Sequence, residues 1–465
     1  MIKFYCQLYF LIGINGFLLK MIKKNNAPVL QIALDLVNLH RALQIAEEAI
    51  KGGVNWIEAG TPLIKSEGMN AVRKLKEKFP NHTIVADMKT VDGGSAEIEI
   101  AAKAGAGVVL MLGVSDNTSI REAILAAKKY GVKLGCDLID VVEEKFIERA
   151  LELEEMGVDI ICVHVGVDQQ MIYGGEKTVE LTRKVAERLN PTTLIATAGG
   201  LNSETAYKAR EAGADIIIVG GALYKAKNPE ESAKTIWKAI NEAKSIKTDL
   251  FKKYSEEELY DAFMKVSTPN ISDAMHREGE MQGLYPIWIG TDKEPLKFAG
   301  KAVTVRAYNG DWSKPVESID VAQEGEVIVV DACEGKDAVW GELASWSCIQ
   351  KGIAAVVIDG AIRDVDDIRE IKFPAFARFI TPTAGEPRGM GEINTPIECG
   401  SQKIEAGDWI IGDQSGVVVV PKYKAKEIAN RAIDVLEKEN RIREEIQRGS
   451  TLSKVLKLKK WEKFG

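Results

Sequence analysis

In the first half of this chain, short apolar runs end on side chains able to do chemistry: Asp35, Glu58, Asp87 with Lys89, Asp137, His164, Gly199-Gly200 and Gly220-Gly221. Glu58 and Asp87 close successive runs, so their carboxylates can converge on one hard cation that takes oxygen ligands, as Mg2+ does. Lys89, two residues beyond Asp87, suits hydrogen bonding to an oxyanion and equally suits a structural ion pair. His164 is the one histidine of 4 that falls at such an end, and imidazole is the side chain best suited to moving a proton near neutral pH. The glycine pairs of ATAGGLN and VGGALY let backbone N–H groups approach a phosphate closely, which makes a sugar phosphate the natural ligand. Each residue alone also has a plain structural reading, as a helix cap, an ion-pair partner or a strand histidine. Together they set 6 ionisable groups on one rim, and burying so many charges without a ligand or metal is costly.

The rim follows from a rhythm that repeats eight times between Val29 and about Ala243: a Val- and Ile-rich run, a polar or glycine turn, then a helix-period stretch closed by glycine. The runs are VLQIALDL (from Val29), WIEAG (Trp56), TIVADMK (Thr83), GVVLML (Gly107), KLGCDLI (Lys133), IICVHV (Ile160), TLIATA (Thr193) and DIIIVG (Asp215). Near-continuous apolar strands alternating with helices predict a parallel sheet covered on both faces. Eight such units predict an α/β fold with a (β/α)8 TIM barrel over 28–245, whose chemistry sits at the C-terminal strand ends.

Beyond residue 243 the texture changes. KSIKTDLFKKYSEEEL predicts a helical linker over 246–262. A separate α/β domain follows over 263–423, with TPNISDAM opening a helix, strands in AGKAVTVRAY, EVIVVDA, AAVVIDGAI, AFARFIT and DWIIGDQSGVVVVP, and a helix around WGELASWSCIQKG. Residues 424–465 predict a charged helix to about Gln447 and a basic tail.

The 465 residues, 46% apolar, 28% charged and 7% aromatic, are those of a globular chain and exclude disordered and collagen-like classes. With 61 basic and 68 acidic residues the formal charge is −7, which offers no global field to draw nucleic acid. Cys6, Cys136, Cys162, Cys333, Cys348 and Cys399 form no C-x-x-C pair, which points to a reducing, cytoplasmic setting. Phe4 to Leu19 carries no charge, but this stretch is shorter than a bilayer span and no small-x-small cleavage site precedes Met21. An over-extended start within 1–27, with the functional chain beginning at Met21, is the preferred reading; a membrane-tethering tail is the other. No membrane or nucleic-acid partner is expected.

QIALD, EAGTPLIKSEG, ADMKTVDGG, CVHVGVDQQ, ATAGGLN and VGGALYKAKNP together resemble the orotidine-5′-phosphate decarboxylase suprafamily, and within it the 3-hexulose-6-phosphate synthases. The resemblance implies Mg2+ (or Mn2+) on Glu58 and Asp87, with Asp35 and Lys89 holding an enediolate and its hydroxyls. It further implies His164 as acid/base, and Gly200, Gly220 and Gly221 on the phosphate. Asp92 would reach a neighbouring subunit's site in a dimeric barrel. The implied reaction is reversible aldol addition of formaldehyde to D-ribulose 5-phosphate. The alternative is a 3-keto-L-gulonate-6-phosphate decarboxylase, which typically has Glu, Arg and Thr where this chain has Asp137, Val167 and Ala198. Losing the Arg leaves an apolar surface beside a nascent carbanion, which favours the aldolase. Asp137, at the end of its strand run, is also expected in the catalytic set.

In the second half, WGELAS followed by VVIDGAIRD resembles the family of the regulator of ribonuclease activity A and the divalent-metal pyruvate aldolases. Its candidate site is Gly341, Glu342, Leu343, Arg363 and Asp364. The aldolase pattern has Asp where Glu342 stands, so a lyase site, a regulatory or scaffold module, and a plain buried Glu342–Arg363 ion pair all remain open.

Overall fold

Every apolar run of the first half forms a strand. The computed structural model describes residues 27–166, 169–171 and 175–456. The N-terminal extension, Cys6, Val167 and the basic tail from 457 lie outside the described residues. The strands β1 (Val29–Leu34), β2 (Trp56–Ala59), β3 (Thr83–Thr90), β4 (Val108–Leu112), β5 (Lys133–Asp137), β6 (Ile160–His164), β7 (Leu194–Ala198) and β8 (Ile216–Val219) pair in order. All are parallel, and β8 returns to β1, with Val29 opposite Ile216, to close the barrel.

The two-residue period of the strands decides which way each chemical group faces. Leu30, Ile32, Ile57, Ile84, Ala86, Leu134, Cys136, Ile161 and Val163 pack outward with the helices. Ala33, Val85, Leu110, Cys162, Ala196 and Ile218 form a separate cluster inside. Continuing the inner set by two residues gives Asp35, Asp87, His164, Ala198 and Gly220, so the chemistry tops the stack of inward side chains. One irregularity breaks the pattern. The β3–β4 register shifts between Asp87 and Thr90, and Lys89 takes a left-handed φ of 47°, which costs a non-glycine residue roughly 1–3 kcal/mol.

A division into compact units groups 27–253 with 437–456, and 254–436 separately. The second unit is an α/β domain on a nine-stranded sheet. It uses β9 (Tyr285–Pro286), β10 (Lys297–Arg306), β11 (Val327–Asp331), β12 (Ala338–Trp340), β13 (Ala355–Ile362), β14 (Ala375–Ile380) and β15 (Glu392–Ile393). Its remaining strands are β18 (Trp409–Asp413) and β19 (Gly416–Val420), while β16 (Ile397–Cys399) and β17 (Gln402–Ile404) form a separate hairpin. The order β19-β18-β10-β11-β13-β14-β9 has a parallel centre flanked by antiparallel edges.

Two expectations change. The predicted helical linker over 246–262 is not one helix. Residues 244–255 are turns and extended chain, and helix begins only at Glu256–Glu258, a 3-10 turn running into Leu259–Lys265. Hydrogen bonds to the barrel replace helical ones here: Ile246 N–H donates to the Ser203 carbonyl at 3.1 Å, and Thr248 N–H to Glu204 at 2.9 Å. The expected charged helix does form as Ala425–Gln447, but residues from 437 onward belong to the barrel's unit. There the buried Arg441 donates to the Lys227 carbonyl at 3.2 Å, and Arg41 pairs with Glu445 at 2.8 Å. No helix among the described residues is long and apolar enough to cross a membrane.

Candidate active site

A cavity of about 510 Å3 opens at the C-terminal ends of the barrel strands. Asp35, Glu58, Asp87, Lys89, Asp137, His164, Gly200, Gly220 and Gly221 all line it. Asp92 does not. It is exposed on the loop after β3, where its Oδ1 accepts the Gly93 N–H at 2.7 Å.

Within the cavity the charges form an ordered chain. Lys89 Nζ donates to Asp87 Oδ2 at 3.0 Å and to Asp137 Oδ2 at 2.9 Å. Asp137 Oδ2 also lies 2.8 Å from His164 Nδ1, and its other oxygen accepts the Ile139 N–H at 2.9 Å. The backbone irregularity at Lys89 accompanies this double contact, so the lysine bridges β3 and β5. Thr61 Oγ1 donates to Asp87 Oδ2 at 2.7 Å, and the Gln31 amide donates to Glu58.

Burial and neighbours push these groups apart in acidity. Burial raises the Asp137 carboxyl, but the His164 and Lys89 charges outweigh it and hold the group below the usual carboxylate range. Burial lowers His164 and Lys89, and in both the Asp137 charge more than reverses the effect, so both rise. Glu58 is pushed well up by burial, then by Asp87 and Asp35. Asp35 rises for the same reasons, burial first and Asp87 second. The site therefore has an ionised, cation-held side around Asp137 and a crowded acidic side at β1 to β3.

That crowded side fits a divalent cation. Glu58 and Asp87 are oxygen donors whose mutual repulsion a cation would relieve. Among the described residues no three His, Cys, Asp or Glu side chains gather closely enough to hold a metal by themselves, so the other ligands would be water or substrate oxygens, as is common for Mg2+. Gly60 keeps the acidic side open: a Cβ there would sit 2.3 Å from Asp35 Oδ1 and 2.9 Å from the Leu34 carbonyl oxygen.

Several lining residues were not singled out from the sequence. Thr61 and Lys225 sit inside the stretches EAGTPLIKSEG and VGGALYKAKNP, so position within those motifs was the available signal. Phe251 also lines the cavity, from 30 residues beyond Gly221. Nothing in its local sequence marks it.

In the second unit a smaller cavity of about 270 Å3 is lined by Gly341, Leu343, Arg363 and Asp364 with Trp312 and Trp340. Glu342 does not line it; its backbone N–H donates to Asp364 Oδ2 at 3.3 Å. The buried Glu342–Arg363 pair is replaced by a partly exposed one, with Arg363 Nε 3.4 Å from Asp364 Oδ2. The two residues are adjacent, and Asp364 takes a left-handed φ of 56° that turns its carboxylate back toward Gly341.

Residues 28–236 match the family described as orotidine 5′-phosphate decarboxylase / HUMPS, and residues 268–419 match the RraA-like family, described as Aldolase/RraA. An uncharacterized protein of Methanocaldococcus jannaschii is 42% identical over 194 residues, 41% of this chain and 90% of its own length. The 3-hexulose-6-phosphate synthase of Bacillus subtilis is 38% identical over 205 residues, 44% of this chain and 94% of that enzyme. Among solved structures, 3-hexulose-6-phosphate synthase from Salmonella typhimurium is 36% identical, covering 46% of this chain and 99% of that one, with a TM-score of 0.43.

Proposed function

Because the chain belongs to the orotidine 5′-phosphate decarboxylase / HUMPS family and carries an RraA-like domain after its barrel, we propose that the barrel is an aldehyde-lyase. Its reaction is reversible addition of formaldehyde to D-ribulose 5-phosphate, giving D-arabino-hex-3-ulose 6-phosphate. The observation that carries this reading is the single cavity lined at once by the Lys89–Asp137–His164 chain, the carboxylates Glu58 and Asp87, and the three glycines.

Asp137 fixes the imidazole. With Nδ1–H donating to the carboxylate, Nε2 is left to take a proton, and Asp137 stabilises the imidazolium that forms. His164 removes a proton from C1 of the ketose, and Lys89 hydrogen-bonds the oxygen on which charge develops. The C1 electron pair attacks the formaldehyde carbon, and the former carbonyl oxygen takes the proton back from His164, so the proton is conserved. Glu58 and Asp87 would hold Mg2+ or Mn2+, whose chemistry when bound is Lewis-acid polarisation of the ketone. Asp35 binds substrate hydroxyls, and backbone N–H groups at Gly200, Gly220 and Gly221 receive the phosphate. Asp92 serves a neighbouring subunit in a dimeric barrel.

Ala198 on the cavity wall favours this reading over decarboxylation of 3-keto-L-gulonate 6-phosphate, because an apolar wall there adds no proton donor dedicated to quenching the carbanion beyond the His164 that the aldol reaction itself uses. Purified protein with Mg2+ should form the hexulose phosphate from the two substrates. Robust decarboxylation with no aldol product would reverse the assignment.

For the second unit, the displacement of Glu342 from the cavity lining supports a regulatory or scaffold role over a second lyase.

A further inference from the structure

The chain leaving the barrel, 246–253, lies outside the residues that match the barrel family. It is nonetheless stitched to the turn that carries Gly200. The Ser203 hydroxyl donates to the Ile246 carbonyl at 2.7 Å, and the Asn202 amide donates to the carbonyls of Leu250 and Phe251 at 3.4 Å each. Phe251 holds a left-handed φ of 54°, with its N–H donating to the Glu437 carboxylate. This backbone delivers the Phe251 ring into the place a side chain at residue 221 would occupy: a Cβ on Gly221 would meet ring atom Cε2 at 2.3 Å.

The ring is flanked by cations. Lys225 Nζ stands 5.3 Å and Lys253 Nζ 4.4 Å from its centroid, and Lys225 lines the cavity as Phe251 does. An aromatic face attracts an ammonium group through its quadrupole, so the ring holds the Lys225 charge at the glycine end, while Lys253 Nζ, on the same ring, donates to Met171 Sδ at 3.3 Å and does not line the cavity. The glycine turns themselves offer backbone N–H groups but no side-chain charge to meet a phosphate dianion.

We propose that Phe251, with Lys225 over its ring, completes the phosphate-binding end of the barrel cavity, so that the segment leaving the barrel is part of its substrate site. The ligand class is a phosphomonoester dianion. This rests on the sugar-phosphate reading of the barrel, and inorganic phosphate separates the two questions because it probes the anion subsite without the reaction.

In the full-length protein, phosphate binding measured by calorimetry should weaken about tenfold in Lys225→Ala, the size of a lost charge-assisted hydrogen bond. Phe251→Leu keeps the apolar packing and removes the quadrupole, and should weaken it several-fold; Phe251→Tyr should restore it. Lys238→Ala, on the exposed face of the helix Pro229–Glu242, is the control. Unchanged affinity in folded Lys225→Ala and Phe251→Leu proteins that still turn over ribulose 5-phosphate and formaldehyde overturns this inference alone. Phosphate binding that depends on both residues in a protein without aldol activity supports the subsite while removing the reaction. No saturable phosphate binding by the unaltered protein overturns both.

Discussion

The barrel cavity and the cavity of the second unit hold similar residue types at very different depths. In the barrel, Asp87 and Asp137 are buried, and Lys89 holds both within 3.0 Å. In the second unit, Arg363 and Asp364 are 42% and 36% exposed at the side chain and meet only at 3.4 Å. Depth sets how much each charge is worth. A buried, hydrogen-bonded charge acts through a weakly screened medium and is positioned before substrate arrives, whereas an exposed pair is screened and contributes little. The difference teaches that arginine and aspartate at motif spacing do not make a prepared site; enclosure does.

The sharpest way to break the comparison is Asp87→Ala. It removes the proposed cation ligand and one of the two carboxylates that hold Lys89, so turnover with Mg2+ should fall roughly a thousandfold or more, as loss of electrostatic preorganisation does. Turnover within tenfold of the unaltered protein would mean the buried chain is structural. Next in size, Asp137→Asn keeps the shape but removes the charge that orients and raises His164. The rate should fall roughly a hundredfold. The acid limb should also move: His164 works as a base only when neutral, so kcat/KM falls as pH drops through its raised pKa, and without Asp137 that fall shifts to lower pH. A pH–rate profile with an unmoved acid limb would remove His164 from the base role.

Much of this arrangement was legible in the chain. Seven of the eight strands lie within their apolar runs and β3 overruns its own by one residue, to Thr90; the inward set was readable as a two-residue extension of Ala33, Val85 and Cys162 to Asp35, Asp87 and His164. The irregularity at Lys89 was not, because a lysine two residues past Asp87 fits a regular strand equally well. The first part of the expected helical linker over 246–262, residues 246–255, departs from helix for a different reason. Its lysines and Leu250 favour helix, but propensity is a weak prior, and hydrogen bonds with Ser203, Glu204 and Asn202 hold it against the barrel in a non-helical course. Phe251 could not be found locally, since its place in the cavity comes from packing against Gly221, 30 residues earlier.

A subtler test addresses the acidic side. Burial and the neighbouring carboxylates raise Glu58, so in the metal-free protein it keeps its proton above the ordinary value of 4.5. Between that value and the raised one, the folded state binds more protons than the unfolded state, so metal-free stability should fall as pH rises. A cation ligand must be ionised, so in the same window Mg2+ binding should release about one proton and weaken about tenfold per unit drop in pH. Calorimetry in two buffers of different ionisation enthalpy reads the proton directly, and equal heats would exclude Glu58 as a protonated ligand. Glu58→Gln should abolish the linkage.

The smallest expected effect lies in the second unit. Arg363→Ala removes a partly exposed ion pair, for which about 0–1 kcal/mol is typical, and takes away no group that lines the barrel cavity. Barrel turnover should stay within twofold and thermal stability should shift by only a few degrees. If the 270 Å3 cavity is instead a working lyase site, the same substitution should erase a separate pyruvate-forming activity while the barrel reaction continues. Assaying both reactions on one preparation of Arg363→Ala decides between the two. A fall in barrel turnover itself would contradict the separation on which the comparison depends, since the groups proposed for the barrel reaction all lie in the barrel's own unit.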